Sequence, residues 1–165
     1  MKKIILLAIL AGLAVWYFDF GRRMPERAIT TAYQEQARHE RDGCGLLCSH
    51  LADGYHATGV IHGSRETATR TLDKDQACTY VKRVGEGMQK LGIAPGGVIS
   101  PRYSIEIKHV ELAANRKAAT VEAVATMMVG DVLLMRSHAT EQLISRMGRI
   151  QTLDSQSETW VYGRR

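Results

Sequence analysis

From Tyr103 onward apolar and polar residues alternate, with Tyr103, Ile105 and Ile107 set against Ser104, Glu106 and Lys108. That two-residue period is the mark of a strand with one face buried. Val110 and Leu112 then fall on the opposite phase, which predicts a β-bulge near Lys108 and His109. Asn115-Arg116-Lys117 reads as a hairpin loop. The next strand puts Ala119, Val121, Ala123, Ala125, Met127 and Val129 on one face and Thr120, Glu122 and Thr126 on the other. So small an inner face leaves room for a closely packed helix or, less simply, a ligand cavity. Gly130-Asp131 marks a turn, and Val132 to Met147 continues with a mixed pattern in which Glu141, like Glu122, is read as pointing outward. Met147-Gly148-Arg149 turns the chain into Ile150 to Tyr162, where Trp160 and Tyr162 share a face.

Upstream the period changes. Ile29, Ala32, Tyr33 and Gln36 follow helical spacing within Glu26 to Arg41, and Asp42-Gly43 ends that helix. A short helix from Leu46 to Leu51 leads to a short strand from Tyr55 to Ile61, and His62 to Thr71 reads as a loop. Asp73 with Gln76 three residues on predicts a capping box. The helix it opens, Lys74 to Leu91, carries Ala77, Tyr80, Val81, Val84, Met88 and Leu91 along one stripe, and Gly92 closes it. Ile93 to Pro101, with two prolines and two glycines, is a connector. The expected fold class is α+β: three helices packed in a curved antiparallel sheet that bends around the Lys74 to Leu91 helix.

This order of elements resembles the nuclear transport factor 2-like superfamily, the SnoaL-like or cystatin-like α+β cone. The resemblance covers about Glu26 to Tyr162 and rests on the element order, on Asp42-Gly43 and Leu51-Ala52-Asp53-Gly54-Tyr55, and on the closing strands. It implies a cone-like sheet wrapped around the helices, often with a pocket at its wide end. It also implies that Tyr33, His50, Asp53, Tyr55 and Tyr80 lie near the helix side of the cone, as candidate ligand-binding residues. The superfamily holds enzymes and non-catalytic association modules alike, so fold does not choose a reaction.

The start of the chain changes the picture of where it works. Lys2 and Lys3 precede an uncharged run from Ile4 to Phe18, the form of a secretory signal or membrane anchor. At helical rise those residues span about 22 Å, against a hydrocarbon core of about 30 Å. Trp16 and Tyr17 stand where interfacial aromatics anchor a helix end. Residues 1–21 are therefore expected to be a signal peptide or anchor and residues 22–165 one domain. The expected location is exported: periplasmic, inner-membrane anchored or secreted, with membrane contact through residues 4–18. The net charge of +5 is scattered rather than clustered, which disfavours nucleic acid as a partner.

Candidate chemistry is sparse. In an oxidising compartment Cys78 on the long helix is expected to pair with Cys48, Cys44 being the alternative. His50, His56 and His62 recur every six residues, which neither a helix nor a strand brings to one face, so no metal site is expected. There is no nucleophile elbow, no phosphate loop and no implied cofactor. With glutamates read as outward-facing, the inner sheet face offers no acid, and no catalytic residue is named. The expected function is a non-catalytic exported or membrane-anchored domain acting in association with a protein partner or with itself as a homodimer. The alternative is a binder of small apolar ligands, or an isomerase or lyase, using a pocket between helices and sheet.

Overall fold

The computed structural model describes residues 5, 7–13, 23–42, 47–64, 66–90, 92, 99–146 and 148–162. Its elements are helix α1 (Glu26–Asp42), a 3-10 turn (Leu47–His50), strands β1 (Leu51–His62) and β2 (Thr67–Asp73), helix α2 (Lys74–Lys90), and strands β3 (Pro101–Leu112), β4 (Ala118–Val129), β5 (Val132–Arg146) and β6 (Arg149–Val161). They form one six-stranded sheet in the order β2-β1-β6-β5-β4-β3. β3 to β6 make the long meander expected from the alternation. The bulge predicted in β3 is present as a register shift between Ile107 and His109. Arg116, at φ 53°, makes the β3–β4 turn, and Gly130, at φ 58°, makes the β4–β5 turn. Glycine suits the second because a Cβ at positive φ is strained.

The sheet is not wholly antiparallel. β1 runs parallel to β6, pairing Ala57 with Ser155 and Gly59 with Ser157. Joining the first strand to the last across the whole meander needs no local turn, so no local signal announces it. The stretch read as a loop contains β2. Only Ala68 and Leu72 of this edge strand are partly buried, so its sequence lacks the apolar alternation of an inner strand.

α1, not α2, builds the core. Ile29 and Tyr33, four residues apart on α1, and Met24 just before it are buried against Ala119, Val121, Ala123 and Leu143. Ile29 and Val121 are 0% exposed. The N–H of Met24 donates to the carbonyl of Arg116 at 2.6 Å, which ties the entry of α1 to the β3–β4 hairpin.

α2 packs on β1, β2 and the 3-10 turn, and does not reach β3 to β6. Chain geometry accounts for this correction. Asp73 is both the last residue of the edge strand and the cap of the helix, so no linker carries α2 to the middle of the sheet. The capping box forms as expected: the Gln76 N–H donates to Asp73 Oδ1 at 2.9 Å, and the Asp73 N–H donates to Gln76 Oε1 at 3.1 Å. A disulfide joins Cys48 in the 3-10 turn to Cys78 on α2. Cys44 lies outside the described residues. Residues 7–13 of the N-terminal apolar run are helical with exposed leucines, and residues 14–22 lie outside the described residues. Among the described residues no helix is long and apolar enough to cross a membrane.

Candidate functional site

Strand β5 alternates cleanly once its register is known. Arg136, His138, Thr140 and Gln142 are exposed, whereas Ser137, Ala139, Glu141 and Leu143 are partly or fully buried. Glu141 therefore faces inward. It pairs with Val121 of β4 on one side and with buried Ser155 of β6 on the other. The outward expectation rests on the charge of Glu141 alone, and the structure corrects it. As a set, Ser137, Ala139 and Leu143 are small or apolar, and the glutamate is the anomaly on a core-facing row. That anomaly is the signal the sequence offers.

Two tyrosines converge on this acid. From α1, the Tyr33 hydroxyl donates a hydrogen bond to Glu141 Oε2. From β1, Tyr55 lies within electrostatic reach of Glu141 and hydrogen-bonds Ser155. Burial pushes the Glu141 carboxyl above the ordinary glutamate range, and the Tyr33 hydrogen bond pulls it partly back. Burial first, and then the charge and hydrogen bond of Glu141, push the Tyr33 phenol far above its usual value. Tyr55 is raised by burial and by Glu141, with its bond to Ser155 opposing and Asp154 adding slightly. Tyr33 thus stays a phenol at any physiological pH and acts as a hydrogen-bond donor. Glu141 is an acid that holds its proton to higher pH than a surface glutamate.

The remaining candidates are elsewhere. Asp53 is exposed and bridges Lys74 Nζ and Arg146 Nη1, each at 3.0 Å. The hydrogen bond from Lys74 and its charge, then Arg146, hold the Asp53 carboxyl low. Tyr80 is exposed on α2 with the Arg70 guanidinium 5.6 Å from its ring centroid. His50 ends the 3-10 turn, half-buried. The structure brings Tyr33 and Tyr55 together around Glu141 and leaves His50, Asp53 and Tyr80 outside that group.

Beside Glu141 the floor is made of small residues. Gly59, Ser157, Ala139 and Ala123 lie in one cross-strand row, with Thr159, Ser137 and Ala125 in the next. All but Ala123 keep partial solvent access although they are on the helix side of the sheet. α1 packs on the β3 side and α2 on β1 and β2, and the floor between their footprints keeps that partial access. The floor is tight at one point, since a Cβ on Gly59 would meet Ser157 Oγ at 3.0 Å.

The helix-free face of the sheet carries a shallow, open depression of about 660 Å³ lined by residues including Lys108, Glu122, Val124, His138 and Glu158. Near it the His62 ring stacks on Trp160 at 5.3 Å, and His62 Nε2 lies 2.7 Å from Glu158 Oε1. The depression is larger than anything a single ring needs, but it encloses no buried polar group. Among the described residues there is no group of three or more side chains able to hold a metal.

Burial of Glu141 gives a pH dependence. Between the ordinary and the folded pKa of this group the native state keeps a proton that the unfolded chain has lost, so stability falls as pH rises through that window. Glu141→Gln is expected to remove that slope and to raise neutral-pH stability over wild type, measured by urea unfolding at a series of pH values. The Asp53 contribution has the opposite sign at lower pH and persists in the variant, which separates the two.

No protein-family model matches the sequence, and no curated protein matches it. Solved structures do. An NTF2-like protein from Shewanella baltica OS155 superposes with a TM-score of 0.56 at 12% identity, covering 81% of this chain and 91% of that one. Aln2 from a Streptomyces species gives 0.58 at 14%, covering 82% and 94%. The yeast UBP3-associated protein BRE5 gives 0.54 at 10%, covering 83% and 95%. At these identities the likeness is one of fold, and the chain has the nuclear transport factor 2-like fold.

Proposed function

We propose that this chain is an exported domain that binds a small, largely apolar molecule in the groove between α1 and α2, anchored through one polar group at Glu141. The observation that carries this reading is the deep-set Glu141–Tyr33 pair beside a solvent-accessible floor of glycine, alanine and serine. A buried acid destabilises a fold unless something is gained from it, and pockets of this kind combine an apolar lining with a few placed polar groups. The pair can donate and accept hydrogen bonds, and Glu141 keeps its proton to higher pH than a surface glutamate. The disulfide and the apolar N-terminal run support export, since such bonds persist in oxidising compartments. Fractionation with and without detergent, combined with N-terminal sequencing, tests the location and distinguishes a cleaved signal from an anchor.

The groove is tested by amide NMR of the ¹⁵N-labelled protein against a library of single-ring fragments. Shifts clustered on Tyr33, Tyr55, Glu141 and Ser155 are expected, and Ala139→Phe should abolish them by filling the floor. Shifts confined to Val124, His138 and Trp160 would place binding on the other face and sink this reading.

A second reading is self-association through the helix-free face. The face carries both Lys108 and Arg136 and both Glu122 and Glu158, a mixture that a two-fold partner of the same chain can complement. Sedimentation velocity decides it: a monomer at tens of micromolar, an order of magnitude typical of weak dimers, contradicts this reading.

A further inference from the structure

One oxygen of Glu141 is satisfied and the other is not. Oε2 accepts the Tyr33 hydroxyl, while Oε1 has no hydrogen-bond partner among the described residues. A part-buried carboxyl oxygen without a protein donor is open to a ligand donor, because leaving such a group unpaired is costly. The groups that face Glu141 are Tyr33 from α1, Tyr55 from β1, Val121 from β4 and Ser155 from β6, with Asp154 next to Ser155. α2 does not reach this strand. No lysine, arginine or histidine among the described residues acts on the acid, although the chain as a whole carries +5. Lys74 and Arg146 are paired with Asp53. The site therefore offers a carboxyl with one unpaired oxygen, two aromatic rings and a floor of small residues.

We propose that the ligand anchored at Glu141 is an organic amine with a small apolar body, its ammonium group pairing with Glu141 Oε1 and lying against the Tyr33 and Tyr55 rings. Three observations combine here. The vacant acceptor asks for a donor. The lack of any cation on the protein side means that a positive ligand restores the charge balance which burial denies the acid. The tyrosine faces favour a cation in addition. A carboxylate or phosphate ligand meets Glu141 with no base beside it among the groups that face the acid and is disfavoured. A neutral alcohol can fill the groove and donate to Oε1, but without the charge pairing. Binding also has a defined proton balance. A protonated Glu141 gives its proton to solvent as the ammonium arrives, so the neutral site becomes a neutral ion pair. Amine affinity then rises with pH until Glu141 is ionised in the free protein, and is flat above that until the amine itself loses its proton.

This inference rests on the groove reading, and the test separates the two. Benzylamine, benzyl alcohol and benzoate share one ring and differ in the polar group, so all three are titrated by calorimetry into wild type and Glu141→Gln. Wild type is expected to bind benzylamine at least about tenfold more tightly than benzyl alcohol, with benzoate weakest. Glu141→Gln should erase that preference, bringing benzylamine down to the level of benzyl alcohol. Should the variant fail to fold, the wild type still answers. Repeating the benzylamine titration below the Glu141 titration, in two buffers of different ionisation heat, should reveal release of about one proton per amine bound. Equal binding of amine and alcohol by wild type, or binding of amine without proton release, overturns the amine proposal and leaves the groove standing. No binding of any of the three at about ten millimolar overturns both.

Discussion

Reduction of the Cys48–Cys78 disulfide is expected to lower the melting temperature by on the order of 10 °C. The bridge closes a loop with a sequence separation of 30. Loop-closure entropy for that length corresponds to about 3 to 4 kcal/mol of stability. The expected effect is at the upper end because of what α2 lacks elsewhere. Ala77 is the one buried residue of that helix among those described, and Tyr80 and Val84 remain exposed. The helix is held mainly by the capping box at its start and by the covalent bond at its fifth residue. Thermal melts with and without reductant, compared with the Cys48→Ser/Cys78→Ser double variant, measure it. The double variant should melt like the reduced wild type. An unchanged melt under full reduction would mean that packing alone holds α2.

The second large effect is expected in α1. Ile29→Ala should cost about 3 to 4 kcal/mol, as truncation of a fully buried isoleucine leaves a cavity that neighbours fill only in part. Ile29 meets the meander at its most tightly packed point, with Val121 also fully buried and Ala119 and Leu143 beside it. Ile29→Val should cost about 1 kcal/mol, which calibrates the series. The site shares in the damage because Tyr33 lies one turn further along the same helix face. Urea unfolding gives the stability, and the Glu141 carboxyl resonance reports whether Tyr33 has moved. If Ile29→Ala unfolds at the same urea concentration as wild type, α1 is not the lid of the core.

Much of the fold is legible because β3 and β4 carry one-sided alternation strong enough to fix their faces, down to the bulge before His109. The α2 cap is legible for a different reason, since Asp73 and Gln76 satisfy each other locally and need no tertiary partner. Other features have no local signature. β2 is an edge strand whose polar positions suit solvent, and the β1–β6 pairing joins residues about a hundred positions apart. The helical stripe of α2 is visible in the sequence, but its partner is not. An amphipathic face says that something must be covered and not what covers it, and here the short β2-to-α2 junction decides. The family resemblance points to Tyr33 and Tyr55, whereas Glu141, the acid they surround, looks like a surface residue by its charge. A charged residue on a row of small ones is the pattern that burial chemistry leaves in a strand, and it is readable only once the phase of β5 is trusted over the polarity of one side chain.

The inward position of Glu141 underlies the groove, its ligand and the pH dependence, and it can be measured directly. The side-chain carboxyl of Glu141 is titrated by ¹³C NMR in wild type and in Tyr33→Phe. The midpoint in wild type should lie above the ordinary glutamate range, because burial disfavours the charged form. In Tyr33→Phe it should rise further, because the phenol hydrogen bond that favours the carboxylate is gone. A midpoint at the value of an exposed glutamate, unmoved by Tyr33→Phe, would contradict an enclosed Glu141 paired with Tyr33.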